Sequence, residues 1–179
     1  MKNVILTAMA IFFAYGASAQ LPVPDFKNQP MLLRDGKLEK LEKQSAEIKN
    51  QRHGYSFGAS VTSDLHLDGA KSNVRTGTKP EFMIKVDAEV DPETVFYLAV
   101  TLPAKNGRDV ELSKQAVVGN GKSVKRFHLK LNYEKVSDGV YKITMGEPLE
   151  DGEEYAFVNS AQGSMNGSNT TTFAFGVGK

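Results

Sequence analysis

Through most of the chain, apolar and polar side chains exchange places at every step. In Glu81–Asp87, Phe82, Ile84 and Val86 fall on one side of an extended backbone, and Glu81, Lys85 and Asp87 on the other. Arg126–Tyr133 repeats this, with Phe127, Leu129, Leu131 and Tyr133 inward and Arg126, His128, Lys130 and Asn132 outward. Val61, Leu65 and Leu67 share a face with Ser63, opposite Asp64, His66 and Asp68, and Tyr141, Ile143 and Met145 alternate with Lys142 and Thr144. Val95–Leu102 is apolar nearly throughout, which predicts a central strand covered on both faces. A helical period would not separate charge from hydrocarbon in this way, so these segments are predicted to be strands.

The punctuation agrees. Asp35-Gly36, Asp68-Gly69, Asn106-Gly107, Asn120-Gly121, Asp138-Gly139 and Asp151-Gly152 end the runs, and such pairs tolerate the positive φ values of tight turns. Short strands at this spacing predict an antiparallel sandwich, not a doubly wound α/β sheet. Lys37–Arg52 dissents: it is rich in helix formers, and Leu38, Leu41, Ser45 and Ile48 lie at helical spacing. Asp35-Gly36, placed between Met31-Leu32-Leu33 and Leu38, favours a hairpin there instead. Asp91-Pro92-Glu93-Thr94 is expected to form a single helical turn, capped by Asp91 with Pro92 first.

Met1–Ala19 has the form of a secretory leader. Lys2 gives a positive start, Val4–Tyr15 an apolar stretch, and Ala17-Ser18-Ala19 the small-x-small pattern, placing cleavage before Gln20. The apolar stretch falls short of the ~20 residues of a membrane-spanning helix, so no span is expected after cleavage. Export to the periplasm, the outer surface or the medium follows. The chain has 22 basic and 21 acidic residues, and loss of Lys2 makes them equal. A neutral chain lacks the cationic excess that draws proteins to nucleic acid. With no cysteine, there are no disulfides or thiolate metal sites, and stability must come from packing. Residues 20–58 are expected to form an N-terminal arm and hairpin that can extend the same sheet, and residues 59–179 the sandwich domain.

Candidate chemistry is sparse. Gly54-Tyr55-Ser56-Phe57-Gly58 matches G-x-S-x-G, but a nucleophile elbow needs a helix after the serine, and here an alternating strand follows. Small secreted serine hydrolase chemistry at Ser56, with Asp64 and His66 or His128 downstream, is the enzymatic alternative. Gly119-Asn120-Gly121-Lys122-Ser123 ends like a P-loop, but Ala116 stands where the first glycine belongs, and a strand follows. His66 and His128 lie on polar strand faces, Asp64 and Asp68 flanking the first. A metal site would require those strands to be neighbours, and none is expected, nor any other cofactor. Asn166 and Asn169 begin formal glycosylation sequons in the polar stretch Asn159–Asn169.

Leu149-Glu150-Asp151-Gly152-Glu153-Glu154-Tyr155-Ala156-Phe157-Val158 resembles the E–F corner of fibronectin type III and related immunoglobulin-like domains. The resemblance implies that Leu149 packs inward, Gly152 makes the turn and the Tyr155 hydroxyl caps backbone across the corner. More broadly, the chain resembles a family of uncharacterised secreted proteins of Bacteroidetes-type bacteria. The matching features are Leu41-Glu42-Lys43, Ala46–Lys49, Gly69–Ser72 with Val74-Arg75, Pro80–Val86, Gly152–Phe157 and Phe175-Gly176-Val177. This likeness implies an all-β exported domain and tips residues 37–52 toward strand.

The expectation is an all-β, immunoglobulin- or fibronectin-like antiparallel sandwich with extra N-terminal strands. Its expected role is non-catalytic, binding a protein or glycan of the cell envelope, with Asn159–Asn169 as the binding loop. Assembly through an exposed edge strand is a further alternative.

Overall fold

The computed structural model describes residues 21–53, 60–116, 128–160 and 170–178. The strands are β1 (Met31–Arg34), β2 (Lys37–Lys40), β3 (Glu42–His53), β4 (Ser60–Asp68), β5 (Arg75–Thr76), β6 (Glu81–Lys85) and β7 (Phe96–Val100). They continue as β8 (Leu102–Ala104), β9 (Gly107–Ala116), β10 (His128–Leu129), β11 (Leu131–Ser137), β12 (Val140–Met145), β13 (Glu154–Asn159) and β14 (Thr170–Val177). Among the described residues there is no α-helix; one 3-10 turn spans Pro92–Thr94, with Asp91 accepting a hydrogen bond from the Glu93 N–H as expected.

The chain is an all-β antiparallel sandwich. One sheet runs β11-β12-β6-β1-β2, and the second runs β10-β7-β13-β14-β3-β4-β9-β8, with β5 parallel to β14. Residues 37–52 are strand except at Leu41, where the chain passes from β2 in the first sheet to β3 in the second. Glu42–Ala46 pair with β14 and Glu47–His53 with β4, so pairing along its whole length overrides the helix propensity of the isolated segment. The N-terminal hairpin belongs to the same body: β1 pairs with β6, and its turn holds Asp35 and Gly36 at φ 50° and 73°.

The second sheet curls over itself. β7 stands near one end of its path and β8 at the other, yet only Thr101 separates them in sequence. Thr101 is buried, and its N–H donates to Glu154 O at 2.8 Å, so the strand bends there and crosses from one layer to the next. The break in pairing of β3 after Ala46 is the matching corner. Three layers result, with β7, β13 and β14 in the middle. Phe96, Leu98, Tyr155, Phe157, Phe173 and Phe175 face Leu32, Phe82, Ile84 and Ile143 of the first sheet. On their other side, Ala99, Ala156 and Ala174 form a row of paired alanines that lets Leu65, Leu67 and Val110 pack close. The continuous apolar runs follow from this: a middle strand has no face left for water.

A buried charge closes one end of the inner core. Arg108, only 1% exposed, donates from Nη2 to Glu42 Oε1 at 3.0 Å and from Nη1 to Gly69 O at 2.8 Å. Gln44 donates to Glu42 and bonds the backbone of Asp68 in both directions. Among the described residues, Arg108 Nε and Glu42 Oε2 have no hydrogen-bond partner. A second clasp ties down the C-terminal strand, where Arg75 pairs with Glu154 and donates to Val177 O.

One expectation is corrected. Arg126–Tyr133 was expected to be a single strand, but the described part, from His128 onward, divides at Lys130 between the two sheets. Lys130 O accepts from the N–H of Gly146, the residue after β12, at 2.9 Å, which draws the chain off β7. The alternation survives the transfer because Leu129, Leu131 and Tyr133 all pack against the same core between the sheets.

Candidate functional site

The residues that carried candidate chemistry in the sequence are not gathered into one place. Ser56, Gly119–Ser123, Asn166 and Asn169 lie outside the described residues, as does most of the Asn159–Asn169 stretch. His66 is on β4, whose partners are β3 and β9, whereas His128 is on β10, which pairs with β7. The two histidines are therefore not on neighbouring strands. His66 Nδ1 stands 2.6 Å from Asp109 Oδ1 on the facing strand, while the His128 ring lies 4.1 Å from that of Tyr97. Among the described residues, no group of three or more His, Asp or Glu side chains is arranged to hold a metal. At the Leu149–Tyr155 corner, Leu149 is buried, Gly152 has φ 87°, and the Tyr155 hydroxyl accepts from Glu150 N–H at 3.0 Å.

A concavity lies where the chain leaves one sheet for the other. Among the described residues β10 pairs with β7 at two positions, His128 with Ala99 and Leu129 with Leu98. Beyond Lys130 the strands diverge and open a groove of about 560 Å³ on the side of the sandwich. One bank is Phe96 and Tyr97, the other runs from Leu129 to Tyr133, and Glu93 of the 3-10 turn stands at the end. The volume lies within the roughly 300–1,000 Å³ of small-ligand sites. A second hollow, of about 260 Å³, shares Leu129 and adds His128, Tyr155, Glu147, Glu150 and Glu153.

Two tyrosines of the groove are held in fixed positions. Tyr97 stacks on His128 with the ring planes at 31° and packs on the inner core; Tyr133 packs on the core between the sheets. Burial pushes both phenols up to about 12, and for Tyr133 the charges of Glu93 and Asp91 add to the effect. Both hydroxyls therefore remain donors across the physiological range. Because the folded-state values lie above the ordinary value of 10.0, the unfolded chain loses these protons first. Stability is expected to be unaffected by them below pH 10 and to fall between about pH 10 and 12. Tyrosinate absorbance followed with pH, compared with the Tyr133→Phe and Tyr97→Phe variants, checks this. Ionisation of either residue at the ordinary value would contradict the burial.

Fold and site together define an all-β sandwich that carries a tyrosine-lined groove at an open side. Comparison with protein-family models, curated proteins and solved structures finds no match to the chain. The sequence reading missed the groove. Tyr97 and Tyr133 lie far apart in the chain, and only the strand transfer at Lys130 brings them together. The signal available was the apolar phase of Leu129, Leu131 and Tyr133, which continues without interruption through the point of transfer.

Proposed function

We propose that the chain is an exported, non-catalytic β-sandwich module of the cell envelope or secretome, which binds a partner through the groove between β7 and β11. The observation that carries this is the groove itself: fixed aromatic rings beside Glu93, Lys130 and Asn132 on a rigid three-layer body. Rings already held in place lose little freedom when a ligand arrives, and a few polar groups among apolar ones orient it. Export rests on the leader pattern of Met1–Ala19. No helix among the described residues is long and apolar enough to cross a membrane.

The test has two parts. Expressed with its leader in a Gram-negative host, the protein is expected outside the cytoplasm with Gln20 as its first residue, as read by N-terminal sequencing. The mature protein is then expected to co-sediment with purified envelope material, and the Tyr97→Ala/Tyr133→Ala double variant to lose most of that binding while keeping its β-sheet dichroism. An unprocessed cytoplasmic product would overturn export. Equal sedimentation of the folded double variant would overturn the groove as the binding surface.

A further inference from the structure

We infer that the ligand of this groove is an uncharged oligosaccharide, an assignment that rests on the groove being the binding surface. Among the described residues the lining contains one cation, Lys130, and one anion, Glu93. They offset one another, so the groove has no net charge with which to select an anionic or cationic partner. Tyr97, Tyr133 and Asn132 also line it; tyrosine hydroxyls and amides both donate and accept, and the Asn132 amide already donates to Met145 O at 3.5 Å. A sugar ring has a rim of hydroxyls that give and take hydrogen bonds, and C–H faces that lie against aromatic rings. Tyrosine offers both surfaces in one side chain, an apolar ring and a polar tip.

An extended peptide added to a strand edge is the competing occupant, and the edges discourage it. β11 carries a bulge between Lys135 and Ser137 beside Glu134 and Lys135. The backbone acceptors at the ends of the groove are already used, Val95 O by Ser160 N–H and Lys130 O by Gly146 N–H. The other open edges are defended too: β2 by Lys37 and Lys40, and β8 by Pro103. Short, bulged, lysine- and proline-bearing edges are those that proteins use to prevent strand addition.

The probes are cellohexaose, laminarihexaose, mannohexaose and xylohexaose, titrated into the mature protein and followed by calorimetry and by tyrosine ring NMR signals. At least one is expected to bind with a dissociation constant between about 10 μM and 1 mM, shifting Tyr97 and Tyr133 signals and changing little between 50 and 500 mM NaCl. Tyr133→Ala and Tyr97→Ala are each expected to weaken binding at least about tenfold. Tyr133→Phe, which keeps the ring and the fold, should weaken it by less, through loss of the hydroxyl alone. Silence of all four sugars overturns the assignment, as does preferential, salt-sensitive binding of polygalacturonate hexamer or of choline. A neutral β-forming peptide that shifts the same tyrosines while the sugars do not would also overturn it, yet leave the groove as a binding surface. Envelope binding that the folded groove variants leave unchanged would instead overturn the groove as the binding surface, and with it the reading on which this assignment rests.

Discussion

Arg108→Ala is expected to remove about 3–5 kcal/mol of stability, the loss that follows when one member of a buried ion pair is deleted. Glu42 would keep Gln44 but lose its cation, and Gly69 O would lose its donor. The arginine stem also fills the end of the inner core beside Leu67, its cross-strand partner, and truncation empties that space. Arg108→Met/Glu42→Gln behaves differently. It keeps most of the volume, removes both charges, and eliminates Arg108 Nε, a buried atom that lacks a partner, while an amide replaces the Glu42 carboxylate. The double variant is expected within about 1 kcal/mol of the parent, or above it. Urea unfolding of the three proteins decides the matter. A single variant that loses less than about 1 kcal/mol would mean the pair is solvated in solution, and a double variant no better than the single would mean that the charge pair itself stabilises.

That arginine shows where sequence reasoning stops. In Gly107–Leu112, Arg108 shares its phase with Val110 and Leu112, and the pattern alone places it inward. A charge at an inward position ordinarily signals a misjudged register. Its partner Glu42 lies in the Lys37–Arg52 segment, whose strand or helix character was itself in question, so neither residue could vouch for the other. The buried pair needs the β3–β4–β9 order, which follows from no local property.

Much else was legible because it is local. Alternation gave the strands, and Asp-Gly pairs gave the turns at Gly36 and Gly139, both at positive φ. The apolar run at Val95–Leu102 announced a strand covered twice. What it did not announce was the bend at Thr101, because a polar residue inside an apolar run reads as tolerated rather than as a corner. The Lys130 transfer was hidden for the opposite reason: its flanking residues point into one shared core, so the period never breaks. Layer assignment is a long-range decision, and the groove exists only because of it.

The three layers make a second large prediction. Phe82 is fully buried between the sheets, its ring 5.0 Å from Phe157 at 83° and 5.0 Å from Phe175 at 50°. Phe82→Ala is expected to cost about 3–5 kcal/mol, since burial, cavity and edge-to-face contacts are lost together. Phe157 and Phe175 belong to the middle layer, whose opposite face carries Ala156 and Ala174 into the inner core. Loosening one core therefore loosens the wall of the other. Ala156→Leu, which overpacks the inner core, should lower stability by about 1–3 kcal/mol. Both variants are expected to unfold in a single transition with an unchanged denaturant slope, because no surface can open on one face of the middle sheet alone. Two transitions in Ala156→Leu, with the first sheet surviving the loss of β4, β8 and β9, would show that the layers fold separately and that the shared sheet does not couple them.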